Sequence, residues 1–300
     1  RLGIGSGFTA ATRPGGVRVE GMPDLQHVIV GGGVCGATAA KALRDAGETG
    51  PVTLISAESE EPYERPDLSK AFLAGDKSRA DLAVLEDGWY EANDVTLRLG
   101  AEVASIYPGR RVLALEDGDT VPYDRLLLAT GSAPVPLRVP GGDLDGVLRL
   151  RTVGDSQAIQ AAIAAGGPLV VVGGGWIGLE VAAVARSKGL EVTVLETAPH
   201  VLNRVLGGKV GDRLAAVHRR HGVDVRTGVK VAALLGDTHV EAVELESGET
   251  IDAAAVVTGV GIRPRTALAE AAGLDVADGV VVDGALRTSD PAIWAAGDVA

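Results

Sequence analysis

"HVIVGGGVCGATAAKAL" (His27–Leu43) and "PLVVVGGGWIGLEVAAVA" (Pro168–Ala185) decide the fold. Each reads as a short apolar strand, then a G-x-G-x-x-G triplet, then a helix of small residues. The triplets are Gly31, Gly33 and Gly36, and Gly173, Gly175 and Gly178. Such a loop lets a pyrophosphate lie against bare backbone and rest on the N–H groups that open the helix, here those of Val34 and Cys35 and of Trp176 and Ile177. One triplet in a chain with 42 glycines says little, but strand, triplet and helix in the same order twice predict two Rossmann-like units and two dinucleotides.

The duplication runs further. "PVTLISAE" follows the first helix and "LEVTVLE" the second, so both units read as βαβ. Later, "LRLGAEVASI" and "RVLALEDGDTVPYDRLLLATG" match "VRTGVKVAAL" and "HVEAVELESGETIDAAAVVTGVG". Leu115–Gly118 and Leu245–Gly248 read as hairpin turns between alternating strands, which gives each unit a small antiparallel meander beside its parallel sheet. The sequence therefore predicts an α/β chain of two three-layer Rossmann-like domains. The proline-rich stretch Pro134–Pro140 reads as the crossing into the second domain and Gly261–Pro264 as the return, so the first domain is discontinuous: 22–137 plus 265–300 around 138–264. Residues 1–21 carry no periodicity and precede Met22, which reads as the natural start, and "WAAGDVA" at the far end reads as a strand and turn leading into a further helix.

Composition narrows the function. A hydrophobic content of 46% over 300 residues supports ordinary cores, and a net charge of −12 argues against nucleic acid. No apolar run approaches the ~20 residues of a membrane helix, and the N-terminus lacks a signal peptide's apolar stretch, which points to the cytoplasm. The single cysteine, Cys35, allows neither an internal disulfide nor a redox dithiol and reads as a small residue packed in the first loop. There is no Cys/His metal spacing, and the histidines read as surface or strand-edge residues.

Glu196 closes "VTVLE", where an acidic side chain accepts hydrogen bonds from the ribose of a dinucleotide and repels a 2′-phosphate; NADH is expected over NADPH. In the first unit, "LISAESEE" offers Glu58 for the same task.

The segment "PYERPDLSKAFLAG" (Pro62–Gly75) resembles the PYxRPxLSK signature of FAD-dependent pyridine nucleotide reductases of the ferredoxin and rubredoxin reductase type. "LLLATGSAP" (Leu126–Pro134), "LRTVGD" (Leu150–Asp155) and "LRTSDPAIWAAGDVA" (Leu286–Ala300) resemble the same superfamily. The resemblance assigns FAD to the first domain and NAD to the second. It implies that Arg65 and Lys70 contact FAD, that Arg151 reaches its phosphates or adenine side, and that Val103 packs on the adenine. Asp298 is implied to bond the ribityl or pyrophosphate region, while Ala129, Thr130 and Gly131, and Gly261 in the second domain, line the nucleotide sites. Glu180 is implied to pair with Lys70 as a buried pair across the flavin and nicotinamide site. Hydride would pass from NADH to the flavin, and electrons onward to a ferredoxin or rubredoxin. Lys70 stands near where the disulfide- and peroxide-reducing relatives carry a cysteine, which favours an outward acceptor. The same superfamily also holds monodehydroascorbate or nitrite reductase-like diaphorases and FAD- and NAD-binding proteins of the apoptosis-inducing factor type. Two positions depart from the pattern: Asp67 where many relatives have proline, and His200 where arginine is common.

Overall fold

The computed structural model describes residues 25–300, so the readings of residues 1–21 and of Met22 lie outside the described residues. The first unit runs β1 (His27–Val30), α1 (Val34–Asp45), β2 (Val52–Ile55), the short helical turns α2 (Ala71–Ala74) and α3 (Trp89–Ala92), then β3 (Val95–Arg98). A meander of β4 (Val103–Tyr107), β5 (Val112–Leu115) and β6 (Thr120–Pro122) precedes the return strand β7 (Arg125–Leu128). The second unit follows a ribbon strand β8 (Ser132–Pro134). It comprises β9 (Val147–Arg149), α4 (Val153–Ala165), β10 (Leu169–Val172), α5 (Trp176–Ser187), β11 (Val192–Glu196), α6 (Asn203–Arg220) and β12 (Asp224–Thr227). Its meander is β13 (Val231–Leu235), β14 (Ala242–Leu245) and β15 (Thr250–Asp252), and β16 (Ala255–Thr258) returns to the sheet. Then come β17 (Ile262–Pro264), α7 (Ala267–Ala271) and β18 (Ile293–Ala295).

Both parallel sheets have five strands, ordered β18-β7-β1-β2-β3 and β12-β11-β10-β16-β9. The central strands β1 and β10 are Val, Ile and Leu throughout except for His27 at the start of β1, because helices cover one face and a meander the other; Ile29, Leu54, Val171 and Val257 are at most 1% exposed. The repeat extends to register: His27 stands opposite Val52 and Arg125, as Leu169 stands opposite Val192 and Ala255. β18 brings the last described strand back to the first sheet, beside β7.

Three features go beyond the sequence reading. First, the triplet itself forms the first turn of α1 and α5, which begin at Val34 and Trp176: Ala37 N–H donates to Gly33 O and Leu179 N–H to Gly175 O, both at 3.0 Å. Second, the two crossings pair with each other, β8 antiparallel to β17, as a ribbon between the units. Third, "LRTVGD" is the start of α4, with Thr152 and Asp155 forming a reciprocal capping box.

An arm between β2 and β3 leaves the first unit to pack on the second. Tyr63, Leu68, Phe72, Leu73 and Leu82 are buried in one cluster with Ile159, Ile163, Leu179 and Val181. Hydrogen bonds hold it there: Ser156 Oγ donates to Leu68 O at 2.7 Å, Gln160 to Phe72 O at 2.5 Å, and Val153 N–H to Tyr63 Oη at 3.2 Å. The division we propose, 22–137 plus 265–300 against 138–264, thus includes an arm whose apolar contacts lie in the other unit. Among the described residues no helix is long and apolar enough to cross a membrane.

Candidate dinucleotide sites

The first triplet opens on a cleft of about 940 Å³ at the carboxyl ends of β1 and β7. Gly31 (φ +126°) turns the chain where a Cβ would lie 2.1 Å from Ala129 O. Gly36 faces inward: its Cβ would lie 2.1 Å from Gly31 O, so its glycine serves the close packing of α1 on β1, with no lining contact of its own. Gly33 differs from both, with nothing within 4 Å of where its Cβ would be. No side chain caps α1, so the N–H groups of Val34 and Cys35 face the cleft. An open glycine, an uncapped helix N-terminus and a nearby guanidinium fit the diphosphate of a dinucleotide.

That guanidinium is Arg151, whose Nη2 lies 3.1 Å from Asp298 Oδ2; Ser132 Oγ donates to the same oxygen at 3.0 Å. Ala129, Thr130 and Gly131 form the floor beside them, and Val103 walls the cleft from β4. Glu58 stands at the far end in a tight network. Arg65 Nη2 donates to Glu58 Oε1 at 2.6 Å and Tyr63 Oη to Oε2 at 2.5 Å, while Arg65 also reaches Arg151 O and Tyr63 Oη. Burial and the Glu58 bond push the Tyr63 phenol up to about 12, so it remains a donor at neutral pH. Burial, then the Asp298 charge, raises the Cys35 thiol above its usual range and keeps it uncharged beside the phosphate position. Sequence reasoning missed Tyr63, Ser132 and Arg265. Arg265 lines the cleft because its N–H pairs with Gly131 O across the ribbon, a non-local contact that no motif signals.

The second triplet repeats the geometry. A Cβ on Gly173 (φ +116°) would lie 2.4 Å from Gly259 O, one on Gly178 2.1 Å from Gly173 O, and one on Gly175 no closer than 4.0 Å to Gly259 O. Trp176 and Ile177 open α5 without a side-chain cap, and both are exposed. Glu196 ends β11 with its carboxylate fixed by two backbone donors, Gly174 N–H and Ala198 N–H, each at 2.7 Å. Gly261 (φ +129°) starts the ribbon, its carbonyl accepting from Val135 N–H at 2.9 Å. His200 is held by Asp212 at 2.6 Å.

Between the two sites, Lys70 Nζ lies 3.1 Å from Glu180 Oε2 and 2.6 Å from Pro66 O. The expected pairing is present, but the pair is not buried: the Lys70 side chain is 47% exposed and that of Glu180 28%. The lysine head lies at the surface because α2 begins at Ala71 and turns Leu73 and Phe72 inward in its place. Ser69, which sequence reasoning passed over, donates its hydroxyl to the same Glu180 oxygen at 2.5 Å.

Residues 25–300 match the pyridine nucleotide-disulphide oxidoreductase family. The chain is 40% identical over 274 residues to a rubredoxin-NAD(+) reductase of Pseudomonas putida, covering 91% of this chain and 71% of the relative. It is 42% identical over 272 residues to the ferredoxin–NAD(+) reductase component of the biphenyl dioxygenase system of Paraburkholderia xenovorans, covering 91% and 66%. The putidaredoxin reductase of a covalent complex with putidaredoxin superposes with a TM-score of 0.90 at 39% identity, covering 93% of this chain and 68% of that one. The chain thus spans about two thirds of the length of these relatives. Two duplicated glycine-loop units, with a matching family across all described residues, establish that the chain belongs to the pyridine nucleotide-disulphide oxidoreductase family.

Proposed function

We propose that this chain carries the two dinucleotide sites of an NADH-dependent flavoprotein reductase that delivers electrons to a ferredoxin- or rubredoxin-type iron–sulfur protein. FAD would occupy the first cleft, NADH would lie on the second triplet, and the enzyme would work in the cytoplasm, where a chain with one cysteine needs no oxidising environment. The observation that carries the reading is the pair of open glycines. Gly33 and Gly175 each leave room before an uncapped helix N-terminus, and the Lys70–Glu180 contact lies between the two helices' sites. The named relatives that reduce rubredoxin or ferredoxin support the choice of acceptor.

Bound FAD would supply hydride acceptance and the onward release of electrons, chemistry that no side chain here provides. The residues bind and orient. Val34 and Cys35 N–H groups and Arg151 hold the diphosphate, Val103 packs on the adenine, and Glu58, fixed by Tyr63 and Arg65, accepts from the ribose hydroxyls. Glu196, its carboxylate fixed by two backbone donors, is oriented for the NADH ribose and repels a 2′-phosphate. Glu180 and Lys70 orient the nicotinamide beside the arm. The test is anaerobic: add NADH or NADPH to the purified holoprotein in separate cuvettes and follow flavin bleaching. Fast bleaching with NADH and slow bleaching with NADPH is expected; a protein that cannot be loaded with FAD overturns the assignment of the first cleft. Reduction of a ferredoxin or rubredoxin faster than of small quinone-like acceptors tests the proposed partner against the diaphorase reading.

A further inference from the structure

We infer that Ser69 is the positioning residue that fixes Glu180 at the nicotinamide site, and that the neighbouring Lys70 has the lesser part in holding it. The inference rests on the proposed function, which assigns the space beside Glu180 to the nicotinamide. Ser69 and Lys70 both donate to Glu180 Oε2, at 2.5 and 3.1 Å, so they act on one oxygen and differ in everything else. Ser69 is 5% exposed, and a hydroxyl bonded to a carboxylate away from water keeps its strength. Lys70 donates to that oxygen from a longer distance and shares its ammonium with Pro66 O.

Rigidity separates them as well. Ser69 ends the helical turn Pro66–Ser69, and that turn is pinned to α4 on either side by Ser156 on Leu68 O and Gln160 on Phe72 O. Its hydroxyl has one side-chain torsion to lose on bonding. Lys70 spans the distance with a flexible four-carbon stem whose closer contact, 2.6 Å, is to Pro66 O in its own turn. A carboxylate held on Oε2 by a fixed donor has a fixed plane. Among the described residues Oε1 has no hydrogen-bond partner, so it is the acceptor left for an amide N–H donor such as a nicotinamide carboxamide. The bond also joins the units, since Ser69 belongs to the arm and Glu180 to α5.

The experiment compares the parent, Ser69→Ala, Ser69→Thr and Lys70→Met in the full-length holoprotein. It reads three quantities: the NADH-driven bleaching rate, the long-wavelength charge-transfer absorbance of the reduced protein with NAD+, and the thermal midpoint. For Ser69→Ala the bleaching rate is expected to fall by about tenfold or more, from misplacement alone. Its charge-transfer band should weaken, and Ser69→Thr should restore both rate and band. Lys70→Met should change the rate and the band less than Ser69→Ala does. The inference is overturned if Ser69→Ala keeps the parent's rate and band, or if Lys70→Met changes them more. Where Ser69→Ala yields no folded holoprotein, Ser69→Gly removes the same hydroxyl and is read in the same way. A parent that loads with FAD but is not bleached by NADH overturns the reading of the site and this inference together; a bleached parent with an indifferent Ser69→Ala overturns the inference alone.

Discussion

Gly31 and Gly33 sit two positions apart in one loop, yet alanine at each should fail in a different way. At Gly31 the backbone has φ +126°, a region almost closed to other residues, at about 1–3 kcal/mol of strain. The new Cβ would also lie 2.1 Å from Ala129 O, a backbone atom that cannot move aside cheaply, and overpacking of this kind costs a further ~1–3 kcal/mol. The sum, about 2–6 kcal/mol, corresponds to a fall in melting temperature on the order of 10 °C for a chain of this size. At Gly33 the backbone is extended (φ −96°, ψ −176°), which any residue adopts, and no atom lies within 4 Å of the added Cβ. Alanine there restricts the unfolded chain but is a poorer N-cap, two effects of about 0.5–1 kcal/mol that oppose each other. The ligand-free Gly33→Ala protein should therefore melt within about 3 °C of the parent. Its penalty should appear in FAD binding, because the methyl occupies the space a phosphate needs: an overpacking cost of ~1.4–3 kcal/mol weakens Kd by roughly 10- to 100-fold. Thermal unfolding of the apoprotein, paired with titration of FAD by fluorescence quenching, reads both quantities. The reasoning is refuted if Gly33→Ala melts as early as Gly31→Ala, or if it binds FAD like the parent.

Three other outcomes are expected. Glu196→Ala should raise activity with NADPH relative to NADH by about tenfold or more, because a like charge set against a phosphate costs several kcal/mol; an unchanged ratio of kcat/KM values counts against the assignment. Ser156→Ala should destabilise the protein by about 1–3 kcal/mol in denaturant unfolding, since the fully buried hydroxyl is the donor on Leu68 O and its removal leaves that carbonyl unpaired. Cys35 should react slowly with alkylating reagents at pH 7 and faster only at pH values above a cysteine's ordinary range, because burial and then the Asp298 charge raise its pKa. Bound FAD should protect it, and alkylation that is fast at pH 7 and indifferent to FAD would contradict the placement.

The legible part of this molecule is the part written locally. The triplets, the fully apolar strands and the hairpin turns near Asp117 and Ser247 each announce themselves within a dozen residues, and their repetition fixed the architecture. What escaped depends on partners far along the chain. The ribbon pairs Ser132–Pro134 with Ile262–Pro264, two short segments with no alternation of their own, and it is this pairing that carries Arg265 to the first cleft. The exposure of Lys70 could not be read from a motif that names it, because burial there is decided by α2 and by how the arm meets α5. Ser69 gave no signal, since a serine beside a lysine is ordinary until the opposing glutamate is seen. The capping box at Thr152 and Asp155 escaped together with the helix behind it, which is rich in alanine and weakly patterned.

The arm makes the sequence boundaries a poor guide to exchangeable parts. Grafting residues 138–264 from a relative onto this chain would keep the host's Tyr63, Leu68, Phe72 and Leu73 but replace the surfaces of α4 and α5 against which they are buried. Nicotinamide specificity transferred this way would arrive with a mismatched joint. A chimera that also takes residues 62–82 from the same donor keeps that joint intact, so the natural unit of recombination for the NADH half includes a segment of chain that precedes it by more than fifty positions.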